Sequence, residues 1–455
     1  MKTKSMLLFC IVFNTAFAFA EDKDPMLKLD LPLFDLPYQM DAMNTVGHGF
    51  FSSYANPSMA QSMAVTTDMY SAFHYGMRTF YDSVNMNRTL KEIIYYGGIA
   101  MGDFLLTYMP GGDGWLHEEF HRAVMSRRRV NSFNGMNLFP LGAEMVSVSK
   151  VSDEDLVRFK AESPADFIRM HEVGIEGQYL LASRLQRNNF FYNQNYFNEW
   201  LYWTMTLNSH LYVLSSASPA MVNAQTEQMN KAETDAASRD FTGFDMTAWV
   251  YDLFRPNEPY QDRGIHPSGI GVNRYRTTED LTDDELNYLT MQGWLQLFNY
   301  LSPMMLGFRS LPFGDTDITW NFAFRHFLTS FGSDVTLELL INSGELNFVA
   351  AYHNYQSYEH IFPAIEIEMI DYPVRIKNVV MYISPKIMAG VQPKRQAFFT
   401  SEAEFFGLAG SRIDFQITKH WLPYIEVMAK TNGWVAGNEF LENNISARLG
   451  VSARF

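Results

Sequence analysis

The segment Ile445-Ser446-Ala447-Arg448-Leu449-Gly450-Val451-Ser452-Ala453-Arg454-Phe455 alternates between apolar residues and small or polar ones up to the last residue of the chain. Successive side chains of a β-strand point to opposite faces of a sheet. The segment therefore predicts a strand with one apolar face and one polar face, and its apolar face ends on the aromatic Phe455.

The same alternation occurs in further segments after about Thr316. In one of them Val335, Leu337 and Leu339 alternate with Thr336 and Glu338. Counting the last strand, the chain carries eight or nine such segments, and the others are residues 318–327, 335–341, 346–355, 365–369, 374–383, 397–408, 412–417 and 424–430. A series of this kind favours an antiparallel β-barrel of about eight strands over residues 316–455.

The last strand resembles the C-terminal assembly signal of bacterial outer-membrane β-barrels. The resemblance implies a Gram-negative host, insertion by the barrel-assembly machinery, and an apolar face in contact with outer-membrane lipid. A second interpretation stays open, in which the apolar face is the core of a soluble sandwich or lipocalin-like barrel.

The first twenty residues have the features of a secretory signal peptide. Lys2 and Lys4 precede an apolar run, and Ala18 and Ala20 are the small residues that precede a cut before Glu21. The only cysteine, Cys10, lies inside the apolar run. Cleavage would leave a mature chain without a thiol, so we expect neither cysteine catalysis nor disulfides.

The charge balance argues against one class of partner. The chain has 35 basic and 50 acidic residues, and its formal net charge is −15. Binding of a phosphate backbone needs a positively charged surface. We therefore expect no nucleic-acid partner.

Between about Asn87 and Gly307 the apolar residues follow a helical period instead. Helices are predicted near residues 90–109, 153–159, 165–187, 196–215, 246–254 and 280–301. The predicted class is α+β, with an N-terminal segment over residues 21–59, a helical domain over 60–310 and the barrel after it. Residues 200–217 and 291–308 contain no Asp, Glu, Lys or Arg, so these helices lie either in a core or against a membrane.

One stretch of the helical region carries a chemical motif, Trp115-Leu116-His117-Glu118-Glu119-Phe120-His121. His117 and His121 are four residues apart and project from one face of a helix, with Glu118 beside them. Leu116 and Phe120 form an apolar stripe on the same helix. The turn at residues 110–114 provides a start for it.

This HExxH arrangement resembles that of the zincin metalloproteases. The resemblance implies that His117 and His121 bind Zn²⁺ and that Glu118 is the general base for a zinc-bound water nucleophile. The residues after His121 lack the spacing of the metzincin group. The pattern is therefore closer to the gluzincins, which implies a third zinc ligand from a glutamate on a later helix.

Two glutamates are candidates for that third ligand. Glu172 and Glu176 lie one helical turn apart in the predicted helix 165–187. Gly174 and Gly177 flank Glu176 and would let the helix of His117 approach closely, which favours Glu176. The gluzincin order, in which the ligand precedes another acidic residue by four positions, favours Glu172 instead. The choice stays open, and the neighbouring His171 is a third candidate.

The motif and the barrel together predict a zinc-dependent peptide (or amide) hydrolase of the outer membrane, acting on a peptide or protein substrate in the cell envelope. A di-iron site is a chemical rival, because Glu118 and His121 form a Glu-x-x-His pair, but such sites use that pair twice. The helical segments contain no second pair. A non-enzymatic barrel, either a channel or an assembly factor with a helical scaffold or plug, is the functional alternative.

Overall fold

A computed structural model describes residues 26–46, 55–138, 147–192, 194 and 199–455. The predicted signal peptide lies outside these described residues. Helices fill most of the first two thirds of the chain and an antiparallel sheet fills the last third, so the predicted α+β class is confirmed.

The predicted helices are all present in the described part of the chain, with ends that shift by a few residues. Two further helices precede Asn87, and the longer of them, α2, begins with a capping box between Ser58 and Gln61. None of the described helices combines the length and the apolar character needed to cross a membrane. The helices are α1 (Tyr38–Val46), α2 (Met59–Ser83), α3 (Arg88–Thr107), α4 (Asp113–Arg127), α5 (Asp153–Glu162), α6 (Pro164–Tyr192), α7 (Glu199–Ser215), α8 (Pro219–Ala232), α9 (Asp245–Phe254) and α10 (Asp283–Leu295).

The strands after residue 316 are also present, and eight of them are long. The predicted strand at 374–383 is instead a hairpin of β9 and the start of β10, and the one predicted from residue 397 begins at Ala403. The strands are β1 (Lys28–Leu36), β2 (Phe133–Asn134), β3 (Val148–Ser149), β4 (Leu311–Pro312), β5 (Ile318–Thr329), β6 (Gly332–Ser343), β7 (Leu346–Ser357), β8 (His360–Ile370), β9 (Tyr372–Ile376), β10 (Val379–Pro393), β11 (Ala403–Phe415), β12 (Trp421–Lys430) and β13 (Asn444–Arg454).

The expected closed barrel of about eight strands is wrong. Eleven strands form one open sheet in the order β1-β13-β12-β11-β10-β8-β7-β6-β5-β4, with β9 paired to β10. The added strand β1 comes from the N-terminal segment and pairs with β13, and the register shifts between Pro32 and Phe34. The other edge, β4, ends at Pro312. Proline has no N–H to donate to a neighbouring strand. Pro32 in β1 and Pro312 in β4 therefore hinder the pairing of a further strand at either edge of the sheet.

Helices bridge the open side of the sheet. The backbone N–H of Asp30 in β1 donates to Asp68 of α2 at 2.8 Å. α2 packs against α3, α3 contacts α7, and α7 packs against the 3₁₀ turns at Gln296–Tyr300 and Pro303–Leu306, which lie on β5. The sheet and these helices therefore form one continuous wall.

The faces of the sheet are inverted relative to those of a water-soluble sheet. In β8 the side chains of Ile365 and Ile367 are 55% and 44% exposed, whereas Glu366 between them is only 6% exposed. The apolar face is therefore on the outside. These exposed isoleucines do not form the core that a soluble sandwich or lipocalin-like barrel would build from them.

Helix α6 lies on the polar, inner side of the sheet and is held there by ion pairs. Arg187 donates to Glu338 at 2.6 Å and to Glu368 at 3.2 Å. These charged groups line a cavity of about 370 Å³. The other half of α6 packs against the helix that carries the HExxH motif, so α6 connects the sheet to the candidate site.

Candidate metal centre

The predicted HExxH helix is α4, which begins at Asp113 just after the glycine turn. Its first turn is anchored by Tyr70, whose hydroxyl donates to Asp113 at 2.7 Å. Leu116 and Phe120, which form the predicted apolar stripe of this helix, are fully buried. The rings of His117 and His121 are 4.8 Å apart, centroid to centroid, so the two imidazoles share one face of the helix.

Asp245, the first residue of α9, completes a cluster with the two histidines. Its Oδ2 lies 3.2 Å from Nε2 of His117 and 3.6 Å from Nε2 of His121. One ligand atom from each of the three residues lies within 4.8 Å of the other two. Among the described residues, this is the one group of three or more His, Cys, Asp or Glu side chains with that property.

The hydrogen bonds of His121 leave one nitrogen directed at the cluster. Nδ1 lies 2.5 Å from the carbonyl oxygen of Met170 on α6, to which it donates. In the neutral ring Nε2 then carries the lone pair, and it is buried without a hydrogen-bond partner. Metal-binding histidines have the same arrangement, in which the second nitrogen donates to a backbone carbonyl and fixes the ring.

Asp245 is held in place from two sides. The hydroxyl of Tyr212, on α7, donates to Oδ2 of Asp245 at 2.9 Å. The loop that leads into α9 is fixed by Asp240, whose carboxylate accepts the N–H of Phe241 at 2.8 Å and that of Gly243 at 3.1 Å. The carboxylate position is therefore set before any ion binds.

Burial and neighbouring charges act in opposite directions on the two acidic residues of the site. Burial opposes ionisation of Asp245, but His121 and His117 outweigh it and hold the pKa of Asp245 below its usual range. Burial raises the pKa of Glu118 to about 8, with Asp245 and Asp240 adding to the rise and His117 opposing it. The site therefore holds one ionised carboxylate and one carboxyl that favours the protonated form.

The sequence predicts that Gly174 and Gly177 let the helix of His117 approach closely, and the structure confirms this prediction. A Cβ placed on Gly174 of α6 would lie 2.5 Å from Nε2 of His117, and one on Gly177 would lie 3.0 Å from the ring of Phe120. Real Cβ atoms do not come as close as the first of these distances. Glycine at position 174 is thus required for His117 to occupy its place.

The two glutamates expected as the third ligand do not belong to the cluster. Glu176 accepts from the backbone N–H of Gly437 at 2.6 Å, from Arg169 at 3.0 Å and from Trp434 at 3.1 Å. Glu172 is buried with both oxygens unpartnered, and burial together with the adjacent Glu176 raises its pKa well above the usual value. Asp245 takes the place that the sequence assigned to Glu172 or Glu176.

His171, the third candidate, is also placed elsewhere. Its Nε2 lies 2.9 Å from Asp252, and its Nδ1 lies 2.9 Å from the hydroxyl of Thr242. Both ring nitrogens are therefore occupied. Asp252 also pairs with Lys160 at 2.6 Å, so His171 belongs to a buried network of charged groups.

Sequence reasoning missed Asp245 because its position has an ordinary explanation. The helix at 246–254 was predicted correctly, and an acidic residue in the first turn of a helix is common because it stabilises the helix dipole. A useful signal was nevertheless present, since Asp245 immediately follows the short Thr242-Gly243-Phe244 loop. Only the packing of α9 against α6 brings its carboxylate to the histidines.

The donor set fits a divalent transition metal. Two imidazole nitrogens and a carboxylate oxygen are typical of catalytic zinc sites. With bonds of about 2.0–2.2 Å, the ligand atoms of a tetrahedral zinc lie roughly 3.4 Å apart, close to the distances from Asp245 to the two histidines. His117 remains partly exposed, so the cluster is open on one side.

Comparison with family profiles, curated proteins and solved structures found no match for this chain.

Replacement of Asp245 by alanine should abolish stoichiometric zinc binding, because it removes one of three ligands. Glu172→Gln and Glu176→Gln should keep about one zinc per chain, because neither side chain faces the cluster. Elemental analysis of the purified proteins measures this difference. Zinc retained in Asp245→Ala but lost in a glutamate variant would contradict the assignment.

Replacement of Gly174 by alanine should weaken zinc binding by about 10–100-fold, the range found when residues that orient a ligand are changed. The added methyl group would displace the ring of His117. Gly97→Ala in α3 is the matched control, because a Cβ there meets nothing within 4 Å. A competition titration with a zinc chelator gives the affinities, and equal affinities for the two variants would refute the crowding argument.

Proposed function

We propose that this chain is a zinc-dependent hydrolase of peptide (or amide) bonds in the outer membrane of a Gram-negative bacterium. The observation that carries the hydrolase assignment is the convergence of His117, His121 and Asp245 beside Glu118. The HExxH motif places the two histidines and Glu118 on one helix, and the packing of α9 adds the carboxylate of Asp245.

Each residue has a distinct role in this proposal. His117, His121 and Asp245 would hold the ion, which would polarise the scissile carbonyl and make a water molecule more acidic. The positive charge of a bound ion would favour the ionised form of Glu118, which would then accept a proton from the attacking water and pass it to the leaving amine. The hydroxyl of Tyr212 keeps the carboxylate of Asp245 oriented toward the two imidazoles.

The same donor set also suits Fe(II), which two histidines and one carboxylate bind in oxygenases. Glu118 favours hydrolysis, because a glutamate adjacent to the ligands serves proton transfer to and from water. A di-iron site requires a second Glu-x-x-His pair, whereas the cluster found among the described residues consists of His117, His121 and Asp245. Elemental analysis separates zinc from iron in the purified protein.

Replacement of Glu118 by glutamine should retain zinc and lower kcat by about 10²–10⁴-fold, the usual contribution of a general base. Hydrolysis is measured with an unstructured reporter protein such as casein, or a quenched fluorescent peptide library, beside the wild type. Removal of zinc with a chelator should abolish the wild-type activity, and added zinc should restore it. Wild-type activity that survives complete metal removal would refute the proposal, and so would a zinc-loaded Glu118→Gln protein of undiminished activity.

The placement in the outer membrane is supported by the inverted sheet. Exposed isoleucines such as Ile365, Ile367 and Ile387 lie on the outer face, and charged groups such as Glu366 and Lys386 lie inside. Water favours the reverse arrangement, whereas lipid favours this one. The proposal includes recognition of β13 by the barrel-assembly machinery and a substrate from the cell envelope.

The placement predicts that the mature chain sediments with the outer-membrane fraction and is released only by detergent. The folded chain should also migrate faster than the heated chain on a gel, because long-stranded sheets of this kind resist unfolding by detergent until heated. A mature chain that is freely soluble in the periplasm would contradict the placement but would leave the metal centre intact.

A further inference from the structure

Three helices on the open side of the sheet present an apolar surface. We call it the helical wall, and it consists of the outward side chains Met101 and Phe104 of α3, Leu207 and Leu211 of α7, and Met291 and Trp294 of α10. Each of the six is at least 46% exposed, with Phe104 at 61% and Trp294 at 59%. α7 contacts both α3 and α10, so the six side chains belong to one surface.

The inner faces of these helices carry buried polar groups beside buried apolar ones. Ser209 of α7 is buried, and its hydroxyl donates to Gln178 at 2.9 Å. Gln292 of α10 is buried, and its Oε1 lies 3.0 Å from Nε2 of His326 in β5. The helices thus bury polar groups as well as apolar ones such as Val213 and Leu289, while the apolar side chains of the helical wall stay exposed.

The helical wall is continuous with the outer face of the sheet. Trp203 of α7 packs on Tyr300 with their rings 5.2 Å apart. Phe298, in the same 3₁₀ turn as Tyr300, packs on Phe324 of β5 at 5.9 Å. Phe324 in turn neighbours Phe322 on β5 at 6.4 Å. An apolar path therefore runs from α7 to the strands without a charged residue between its members.

The helical wall also lacks the charges that a protein partner would meet. Residues 200–218 and 291–308 contain no Asp, Glu, Lys or Arg. The charge in the middle of α3, Asp103, is buried against His74 at 2.8 Å and does not reach the surface. Protein interfaces usually have a polar rim and are enriched in arginine, whereas an uncharged aromatic and aliphatic surface suits hydrocarbon.

We propose that the helical wall contacts lipid acyl chains, so that helices complete the apolar belt where the sheet is open. Helices can do this because their backbone hydrogen bonds are satisfied internally, as lipid contact requires. The inference rests on the proposed membrane placement and is independent of the metal chemistry.

Fluorescent probes at single cysteines test the inference. Cys10 is the only native cysteine, so Cys10→Ser gives a background with no other labelling site. Phe104→Cys, Leu207→Cys and Trp294→Cys report on the helical wall. Ile387→Cys reports on the outer face of β10, and Glu227→Cys reports on the solvated helix α8. Each full-length protein is labelled with an environment-sensitive fluorophore, reconstituted into phosphatidylcholine vesicles and checked for heat-modifiable migration.

The expected result is a loss of fluorescence with brominated acyl chains at the three wall positions, comparable to that at Ile387. Glu227 should respond to aqueous iodide only. Iodide quenching at the wall positions together with lipid quenching at Ile387 would overturn this inference alone. Iodide quenching at Ile387 as well would overturn the membrane placement too. Protection of the wall positions from both quenchers, with crosslinking between chains, would assign the surface to a second copy and would likewise overturn the inference.

Discussion

The close approach of α4 to α6 at Gly174 is the constraint on which the candidate metal centre depends. It lets the ring of His117 lie where a Cβ would otherwise be, and it brings the carbonyl of Met170 to Nδ1 of His121. One helix thus makes room for the first histidine and orients the second. Among the described residues, the carbonyl of Met170 is the group on α6 that accepts a hydrogen bond from these rings.

The same helix ties the centre to the sheet. The C-terminal half of α6 carries Arg187 into a set of carboxylates on β6 and β8, and Glu176 accepts hydrogen bonds from the loop at 434–437. Buried ion pairs add little net stability over apolar packing, but loss of one partner is costly because it leaves a buried charge unpaired. The network therefore fixes the position of α6 more than it strengthens the fold. The position of α6 in turn fixes the carbonyl of Met170 and the backbone at Gly174 beside the two histidines of the candidate metal centre.

Apolar side chains lie on the outer surface of several strands and helices in the described part of the chain, with polar groups behind them. Strand β8 places Glu366 inward and Ile365 and Ile367 outward, and α7 places Ser209 inward and Leu207 outward. α7 also carries Tyr212, which orients Asp245. Helix α7 therefore contributes to the proposed lipid-facing surface and also orients Asp245, the proposed third ligand.

The sequence by itself determined the local elements. Period-two alternation located the long strands, helical period located the helices, and the HExxH spacing placed His117, Glu118 and His121 together, because each pattern depends only on the geometry of a few consecutive residues. Gly174 and Gly177 were also interpreted correctly as points of close approach. Only the tertiary structure decided that Asp245 faces the histidines in place of Glu172 or Glu176, that β1 joins the sheet from the other end of the chain, and that helices occupy the gap between the sheet's edges. Those outcomes depend on which distant segments pack together, and no local pattern encodes the packing of α9 against α6 or of β1 against β13.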